Sequence, residues 1–305
     1  MTEKITNKDK KYCGHIVIAG RPNVGKSTLM NRMLGVHLAA TTPKPQTTRN
    51  RILGIHTVDN YQYVFVDTPG IHDDKNRLLN RRINRTAIGS LVEGDVILFL
   101  LEAGQWRKED EKALGFIAEH KIPVVLIINK IDQIKKKEAL LPFIQKVSAF
   151  HDFDQIIPLS ALREKDPRHL LDKISRYLPE GEFEYDPDEL TDRSMRFISS
   201  ELVREQLMFS LKQEAPYAVA VEIEDYQETE KGIHIDALIY VEREGQKRIV
   251  IGKKGAGLKT IGTEARRRIS GLLEKPVHLK LWVKVKENWR ESPKMLDMLS
   301  IDREL

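Results

Sequence analysis

The sequence predicts an α/β protein of two domains: a mainly parallel sheet flanked by helices, followed by a smaller α+β domain. Residues 14–178 alternate short apolar runs with longer amphipathic stretches, which is typical of strand–helix–strand units. After an acidic stretch at 179–192 the periodicity changes. A chain of 305 residues is long for one domain and suits two.

Five apolar runs predict the strands of the first domain, and each run ends at a polar or glycine-rich turn. The runs are residues 15–19, 61–66, 96–101, 124–128 and 156–159. In an open parallel sheet, ligands bind beyond the carboxyl ends of the strands. We therefore expect the turns that follow these runs to carry the chemistry.

Composition predicts the domain boundaries. We expect a flexible tail at 1–12, the first domain at 13–178, a linker at 179–193 and the second domain at 194–305. Residues 179–192 contain seven acidic residues, two prolines and no basic residue, so that stretch buries little apolar surface.

The second domain is predicted to contain a helix, two strands, a turn, another helix and a third strand. Apolar residues recur at helical spacing in 198–211 and 258–272, and they alternate in 219–223, 233–241 and 279–285. The opposite side of the last strand carries Lys280, Trp282, Lys284 and Lys286.

Composition and charge exclude several classes of protein. Apolar residues make up 41% and charged residues 31%, which argues against disorder. A single cysteine, Cys13, excludes an internal disulfide and a cysteine-cluster metal site. No run approaches the roughly 18 apolar residues of a membrane span, so we expect a soluble cytoplasmic protein. The net charge is only +5, but residues 243–290 hold 14 basic and four acidic residues, which indicates a polyanion site.

Residues 20–27 match the phosphate-binding loop pattern directly after the first predicted strand. Glycines at both ends let the backbone fold tightly, and the following helix points its positive end at the same place. We expect Lys26 to reach the β- and γ-phosphates and Ser27 to place its hydroxyl on Mg²⁺. The predicted nucleotide-binding residues are Gly20, Arg21, Pro22, Asn23, Val24, Gly25, Lys26, Ser27 and Thr28.

Asn129, Lys130 and Asp132 follow a later strand and predict which base is bound. A carboxylate at position 132 accepts hydrogen bonds from guanine N1–H and the 2-amino group, and adenine has neither donor. Lys130 would lie over the base, and Asn129 would join this loop to the phosphate loop. After the next strand, a backbone N–H would reach guanine O6 from the turn formed by Ser160, Ala161 and Leu162.

Two further segments are expected to sense the γ-phosphate. The turn after the second predicted strand contributes Asp67, Thr68, Pro69 and Gly70. Asp67 would hold Mg²⁺ through a water molecule, and the Gly70 N–H would contact the γ-phosphate. In residues 46–49 a threonine hydroxyl would reach the same ion; Thr48 is the first choice and Thr47 the alternative. The predicted magnesium ligands are Ser27, Thr48 and Asp67.

These motifs resemble the translation-factor class of GTPases, and the Arg-Pro-Asn and Thr-Thr-Arg sequences resemble its TrmE and Era branch. Small GTPases orient the attacking water with a glutamine where this sequence has Ile71. In some relatives with an apolar residue there, the phosphate-loop asparagine helps to hold K⁺, and the resemblance implies that role for Asn23. The candidate catalytic residues are Asn23, Lys26, Thr48 and Gly70.

A Gly-x-x-Gly turn at 252–255 opens a helix within the basic block. Such a turn lets the chain pass close to a sugar-phosphate backbone, as in KH modules that clamp about four nucleotides. The predicted order of elements suits a type II KH domain. The candidate RNA-binding residues are Ile251, Gly252, Lys253, Lys254, Gly255, Lys259 and Arg266.

A P-loop GTPase domain followed by a type II KH domain resembles the Era family over residues 12–300. The resemblance implies GTP hydrolysis with Mg²⁺ and binding near the 3′ end of 16S rRNA. It also implies a role in maturation of the small ribosomal subunit, and we expect a monomer. Two alternatives stay open: an RNA-binding placeholder with incidental hydrolysis, and a switch at the inner face of the cell membrane that uses residues 243–290 on anionic lipid.

Overall fold

The structure, a computed structural model, describes residues 10–70, 77–211 and 218–301. The chain divides into two compact units. Unit 1 comprises Met1–Gly35, Arg51–Ile71 and Thr86–Asp192, and unit 2 comprises Val36–Asn50, His72–Arg85 and Arg193–Leu305. Each helix within the described residues is too short or too polar to cross a membrane.

Unit 1 is built on a six-stranded sheet. Its strands are β1 (Tyr12–Ala19), β2 (Ile52–Val58), β3 (Tyr61–Asp67), β4 (Val96–Glu102), β5 (Val124–Asn129) and β6 (Gln155–Pro158). The order is β2-β3-β1-β4-β5-β6, and only β2 runs antiparallel to its neighbour. The helices are α1 (Lys26–Leu34), α2 (Leu78–Gly89), α3 (Lys108–Ala118), α4 (Leu140–Ser148) and α5 (Arg168–Ile174), with residues 78–85 of α2 assigned to unit 2. The predicted α/β sheet is confirmed.

Strand β2 is the element of this sheet that the sequence prediction misses. Ile52, Leu53 and Ile55 are buried, but Gly54 and His56 interrupt the apolar alternation that marks a strand. The glycine lets α1 pack closely on β2, because a Cβ at position 54 would lie 2.6 Å from a side-chain carbon of Leu34, which would have to move.

The acidic segment 179–192 is held along unit 1. The Cys13 amide donates to the Pro179 carbonyl at 3.2 Å. The Gln62 side-chain oxygen, on β3, accepts from the amides of Glu184 at 2.9 Å and Tyr185 at 3.0 Å. These bonds satisfy the backbone of a segment that has few apolar residues. The predicted domain boundaries stay predictions.

Unit 2 contains a three-stranded sheet in the order β7 (Ala220–Thr229), β8 (Gly232–Val241) and β9 (Val277–Val285). Strands β7 and β8 are antiparallel, and β8 and β9 are parallel. Its remaining helices are α6 (Met195–Ser210), α7 (Glu244–Ile251), α8 (Ala256–Leu273) and α9 (Pro293–Met298). The sequence predicts only an apolar segment where α7 ends. Helix α7 buries Val250 alone, so it lacks the apolar stripe that identifies a helix.

Candidate nucleotide site and nucleic-acid-binding turn

The phosphate loop between β1 and α1 has a conformation that requires its glycines. Gly20 has φ 145°, and a Cβ there would lie 2.6 Å from the Leu100 carbonyl oxygen. Gly25 has φ 103°, and a Cβ there would lie 2.3 Å from the side-chain nitrogen of Asn129. Helix α1 begins directly afterwards at Lys26. Its first backbone N–H groups therefore form an anion site at the carboxyl end of β1.

Lys26 is buried inside this loop, with only 6% of the residue exposed. Its ammonium donates to the carbonyl oxygens of Gly20 at 3.0 Å and Arg21 at 3.1 Å. Burial lowers the pKa of Lys26 to about 8, and the nearby Asp67 carboxylate offsets only part of that effect. A phosphate group in the loop would favour the charged ammonium.

Ser27 and Asp67 bring two oxygen ligands together. The Ser27 hydroxyl donates to Asp67 Oδ2 at 2.6 Å, and the carboxylate is fully buried at the end of β3. Hydroxyl and carboxylate oxygens are ligands that Mg²⁺ prefers, so these residues fit that ion. In the turn that follows, a Cβ on Gly70 would lie 2.7 Å from the Pro22 nitrogen. The Asp-Thr-Pro-Gly turn therefore lies directly against the phosphate loop.

Asn129, at the end of β5, connects three loops. Its side-chain nitrogen donates to the Val24 carbonyl at 2.7 Å. Its side-chain oxygen accepts from the amides of Lys130 at 2.8 Å and Ala161 at 2.9 Å. One amide therefore fixes the spacing between the phosphate loop and the two loops predicted to contact the base.

Asp132 and Ser160 lie side by side, as their predicted joint contact with the base requires. The Ser160 hydroxyl donates to Asp132 Oδ1 at 2.5 Å, which orients the carboxylate. Leu162 is 63% exposed, and its carbonyl accepts from Arg32 of α1 at 3.0 Å.

Glu102 and Asp110 are residues that sequence reasoning missed. Glu102 ends β4, and its Oε2 accepts from Arg21 at 3.0 Å and from Lys130 at 3.1 Å. Asp110 of α3 accepts from the other side of the same guanidinium at 3.2 Å. Burial alone would raise the pKa of Glu102, but the two cations hold it below its ordinary value. Glu102 therefore links the phosphate loop to the base loop, and its place at a strand end does not by itself distinguish it from carboxylates that face solvent.

The threonines predicted to sense the γ-phosphate lie in residues 36–50, which belong to unit 2, whereas the phosphate loop belongs to unit 1. Thr47 donates its hydroxyl to the Lys44 carbonyl at 2.6 Å, and Thr48 is buried. Arg204 of α6, also buried, donates to the Thr47 carbonyl. A magnesium site shared by Thr48 and unit 1 stays a prediction. Ile71 lies outside the described residues.

Glu205 of α6 binds His37 and Thr41 in the segment 36–50, and the sequence analysis did not identify it. Its fully buried carboxylate accepts from the Thr41 amide at 2.8 Å and lies 3.0 Å from His37 Nε2. Arg268 of α8 pairs with its second oxygen at 3.0 Å. Burial would raise the pKa of Glu205, but His37, the Thr41 amide and Arg268 outweigh it and hold the pKa below its ordinary value.

Glu205→Gln is expected to lower the free energy of unfolding of unit 2 by about 3 kcal/mol at pH 7, because the amide leaves the Arg268 charge uncompensated. The stabilisation exists in full above the ordinary carboxyl pKa of 4.5. It is lost as the pH falls through the depressed folded pKa, since both states then carry a neutral group. Urea unfolding followed by tryptophan fluorescence measures this, in a Trp106→Phe background so that the signal comes from unit 2 and its buried Trp289.

Glu264→Gln is the matched control, because Glu264 pairs with Arg267 on the exposed surface of α8. An exposed pair of this kind contributes about 0.2 to 1 kcal/mol. Equal losses for the two variants at pH 7 would contradict a structural role for Glu205.

The turn between α7 and α8 has the geometry of a backbone clamp. Gly252 has φ 70° and ψ 177°, and a Cβ there would lie 2.7 Å from the Gly257 nitrogen. Lys254 and Gly255 follow at φ 51° and 81°. The side chains of Lys253 and Lys254 are exposed. The turn therefore brings exposed backbone and two cations to the start of α8, where phosphate groups bind readily.

The other RNA-binding candidates have different surroundings. Ile251 is half-buried before the turn, and Lys259 is exposed on α8. In the arginine run, Arg267 pairs with a glutamate one turn away, and Arg268 binds the buried carboxylate of α6. Arg266 is exposed and forms no salt bridge with any described residue. Of these three arginines, it is therefore the one whose charge no described carboxylate neutralises.

Two family models match the chain. A model described as a 50S ribosome-binding GTPase matches residues 15–130, and a KH domain model matches residues 214–290. The Era GTPase of Histophilus somni strain 2336 is 50% identical over 301 residues, and that of Actinobacillus pleuropneumoniae serotype 5b is 49% identical. Each alignment covers 98% of this chain and 98% of the relative.

Solved structures are similar over nearly the whole chain. A variant of Aquifex aeolicus Era bound to GDP and AlF4⁻ is 39% identical with a TM-score of 0.91, and the match covers 96% of this chain and 100% of that one. A structure of Era with MgGDPNP and nucleotides 1506–1542 of 16S ribosomal RNA gives the same values. The resemblance inferred from the motifs is confirmed. The chain belongs to the Era family of GTPases, and it hydrolyses GTP to GDP and phosphate.

Proposed function

We propose that this GTPase binds the 3′ region of 16S rRNA and acts in assembly and maturation of the small ribosomal subunit. One observation carries the proposal: the chain combines a GTPase phosphate loop with a basic Gly-x-x-Gly turn that opens a helix. The Era structure that holds MgGDPNP together with nucleotides 1506–1542 of 16S rRNA supports it. The bound nucleotide is expected to time the stay of the protein on RNA.

Single-turnover GTP cleavage with and without an RNA of nucleotides 1506–1542 tests this proposal. A timing switch is expected to cleave GTP faster when that RNA is bound, and a scrambled RNA of equal length is the control. An assembly placeholder, for which GTP only orders the protein, would show no stimulation by either RNA. Equal rates in all three reactions would therefore favour the placeholder.

In the nucleotide site, the phosphate loop holds the triphosphate through its backbone N–H groups and Lys26. Ser27 and Asp67 hold Mg²⁺, with Thr48 as a further ligand in the triphosphate state. When bound, the ion neutralises charge on the phosphate oxygens. Asp132 accepts from guanine. The buried hydroxyl–carboxylate pair and the two glycines at positive φ support the roles of Ser27, Asp67 and the phosphate loop.

K⁺ is proposed as a second cation, held partly by Asn23. Turnover is expected to be at least about tenfold faster in K⁺ than in Na⁺ at equal ionic strength. A cation beside the transferred phosphoryl group stabilises the negative charge of the transition state, as an arginine finger does in other GTPases. Asn23 has φ 64°, so Asn23→Gly keeps that backbone conformation and removes the side chain. The variant is expected to lose the difference between the salts. Equal wild-type rates in both salts would contradict a potassium site.

The chain is further proposed to act as a monomer in the cytoplasm, with weak association at the inner face of the cell membrane. The excess of basic residues in 243–290 supports the membrane contact, since anionic lipid attracts such segments. Co-sedimentation with anionic and zwitterionic vesicles tests it, and the mass measured by light scattering tests the monomer.

A further inference from the structure

The face of β9 that points away from α8 carries lysines and an exposed tryptophan. Leu281 faces the helix, because a Cβ on Gly262 of α8 would lie 3.3 Å from its side chain. Successive side chains of a strand point to opposite faces, so the neighbours of Leu281 lie on the outer face. The outer face of the strand carries His278, Lys280, Trp282 and Lys284, and Lys286 follows directly after the strand. The β9 stripe is defined here as Lys280, Trp282, Lys284 and Lys286, and all four are exposed.

The β9 stripe adjoins a buried part of the same sheet face. In the parallel register Leu238 of β8 lies beside Trp282, and Tyr240 lies beside Lys284. The two β8 residues are only 7% exposed, because they belong to an apolar cluster with Leu79 and Ile83 of α2 and with residues 289–301. Trp282 is 45% exposed. The cluster therefore covers the carboxyl end of β8 and leaves the adjacent tryptophan exposed.

The cations of the β9 stripe form no close ion pair with a described residue, although Asp236 of β8 lies beside Lys280 in the register. Within the described residues, Lys280, Lys284 and Lys286 form no salt bridge, whereas Lys275 and Arg290, beyond the two ends of the strand, each pair with a glutamate. Alternate residues of a strand stand about 6.6 Å apart, so the stripe presents a row of positive charges with an aromatic ring between them. That pattern matches a polyanion that carries stacking groups.

We propose that the β9 stripe is a second RNA-binding surface, next to the turn at 252–255. Trp282 stacks on an unpaired base, and the lysines contact the phosphates of RNA that continues beyond the nucleotides held at that turn. Aromatic rings flanked by cations are the usual platform for single-stranded RNA, whereas lysine is depleted at protein–protein interfaces. The inference rests on the proposed RNA binding of this chain and adds a place and a ligand class to it.

Two RNAs separate the β9 stripe from the turn. One is the RNA of nucleotides 1506–1542, and the other is a piece of about four nucleotides, which fills a KH clamp alone. Trp282→Ala is expected to lower the affinity for the long RNA about tenfold and to leave the affinity for the short RNA unchanged. A Lys280→Gln, Lys284→Gln double variant is expected to reduce the slope of log affinity against log salt by about 1.4 for the long RNA, since each phosphate contact on a single strand contributes about 0.7.

Lys231→Gln is the matched control, because Lys231 is an exposed lysine of the β7–β8 turn and lies outside the β9 stripe. It is expected to bind both RNAs as the wild type does. Thermal melting and GTP affinity establish that each variant is folded. Gly252→Asp is expected to lower the affinity for both RNAs, which tests RNA binding by the turn at 252–255 independently of the β9 stripe.

Each contrary outcome has a distinct meaning. Unchanged long-RNA affinity in the stripe variants overturns this inference, while loss of binding in Gly252→Asp leaves the proposed function standing. If Trp282→Ala lowers the affinity for both RNAs equally, the inference is also overturned, because the β9 stripe would then bind the same nucleotides as the turn at 252–255. Loss of binding to anionic vesicles without loss of RNA binding would assign the stripe to lipid. If the wild type binds neither RNA, the proposed function fails as well.

Discussion

Replacing Asp132 with asparagine is expected to move the preference of this GTPase from guanosine to xanthosine nucleotides. The Ser160 hydroxyl donates to the carboxylate at 2.5 Å, and the oriented carboxylate is expected to accept from N1–H and the 2-amino group of guanine. An asparagine turns one acceptor into a donor that faces the guanine amino group, whereas xanthine has a carbonyl oxygen there. Asp132 is exposed, so the loss comes from the mismatch in the complex: the new amide donor opposes the guanine amino group and both donors are left unpaired, and we expect guanosine affinity to fall by roughly a thousandfold.

Competition of GDP, xanthosine diphosphate and ADP against a fluorescent guanine nucleotide measures this change. Ser160→Ala is the informative control: it removes the orienting hydroxyl and keeps the carboxylate, so affinity is expected to fall about tenfold without a change of base preference. Asp152→Asn makes the same chemical change at an exposed position of unit 1 and is expected to have no effect. Guanosine preference that survives in Asp132→Asn would contradict the base-reading role.

The parts of the site that sequence predicted are those with a local signature. Parallel strands end at one edge of a sheet, so motifs placed directly after apolar runs come together. The bonds from Asn129 to Val24 and from Ser27 to Asp67 show that convergence. The glycines of the phosphate loop and of the turn at 252–255 form recognisable sequence patterns. The structure gives the reason, because these glycines adopt positive φ values that other residues rarely adopt.

The parts that sequence missed depend on contacts between distant residues. Glu102 meets Arg21 across 81 residues, and Glu205 meets His37 across 168, so no spacing within one segment announces either pair. A carboxylate on a helix or at a strand end usually faces solvent, and only the tertiary fold reveals which ones are buried with a cation. Strand β2 and helix α7 were missed for a different reason, since each departs from the apolar period of its class.

Gly252→Asp is expected to abolish RNA binding and to leave GTP binding unchanged. At φ 70° and ψ 177° the backbone lies in a region that is essentially restricted to glycine, and an added Cβ would lie 2.7 Å from the Gly257 nitrogen. The turn must therefore open, and the new carboxylate would repel the phosphate that approaches it. We expect affinity for the RNA of nucleotides 1506–1542 to fall by at least about a hundredfold, because backbone contacts and cation placement are lost together.

Three further variants separate the causes of that loss. Gly252→Ala introduces the steric conflict without the charge, and its loss is expected to be smaller. Lys254→Asn keeps the left-handed φ of 51°, which asparagine tolerates, and removes one cation. Its RNA affinity is expected to fall less than that of Gly252→Asp, and the slope of log affinity against log salt is expected to decrease by about 0.7. Gly245→Asp adds the same negative charge in the first turn of α7, where its Cβ meets no atom within 4 Å, and it is expected to bind RNA as the wild type does. RNA affinity retained by a folded Gly252→Asp variant would show that the turn is not the clamp.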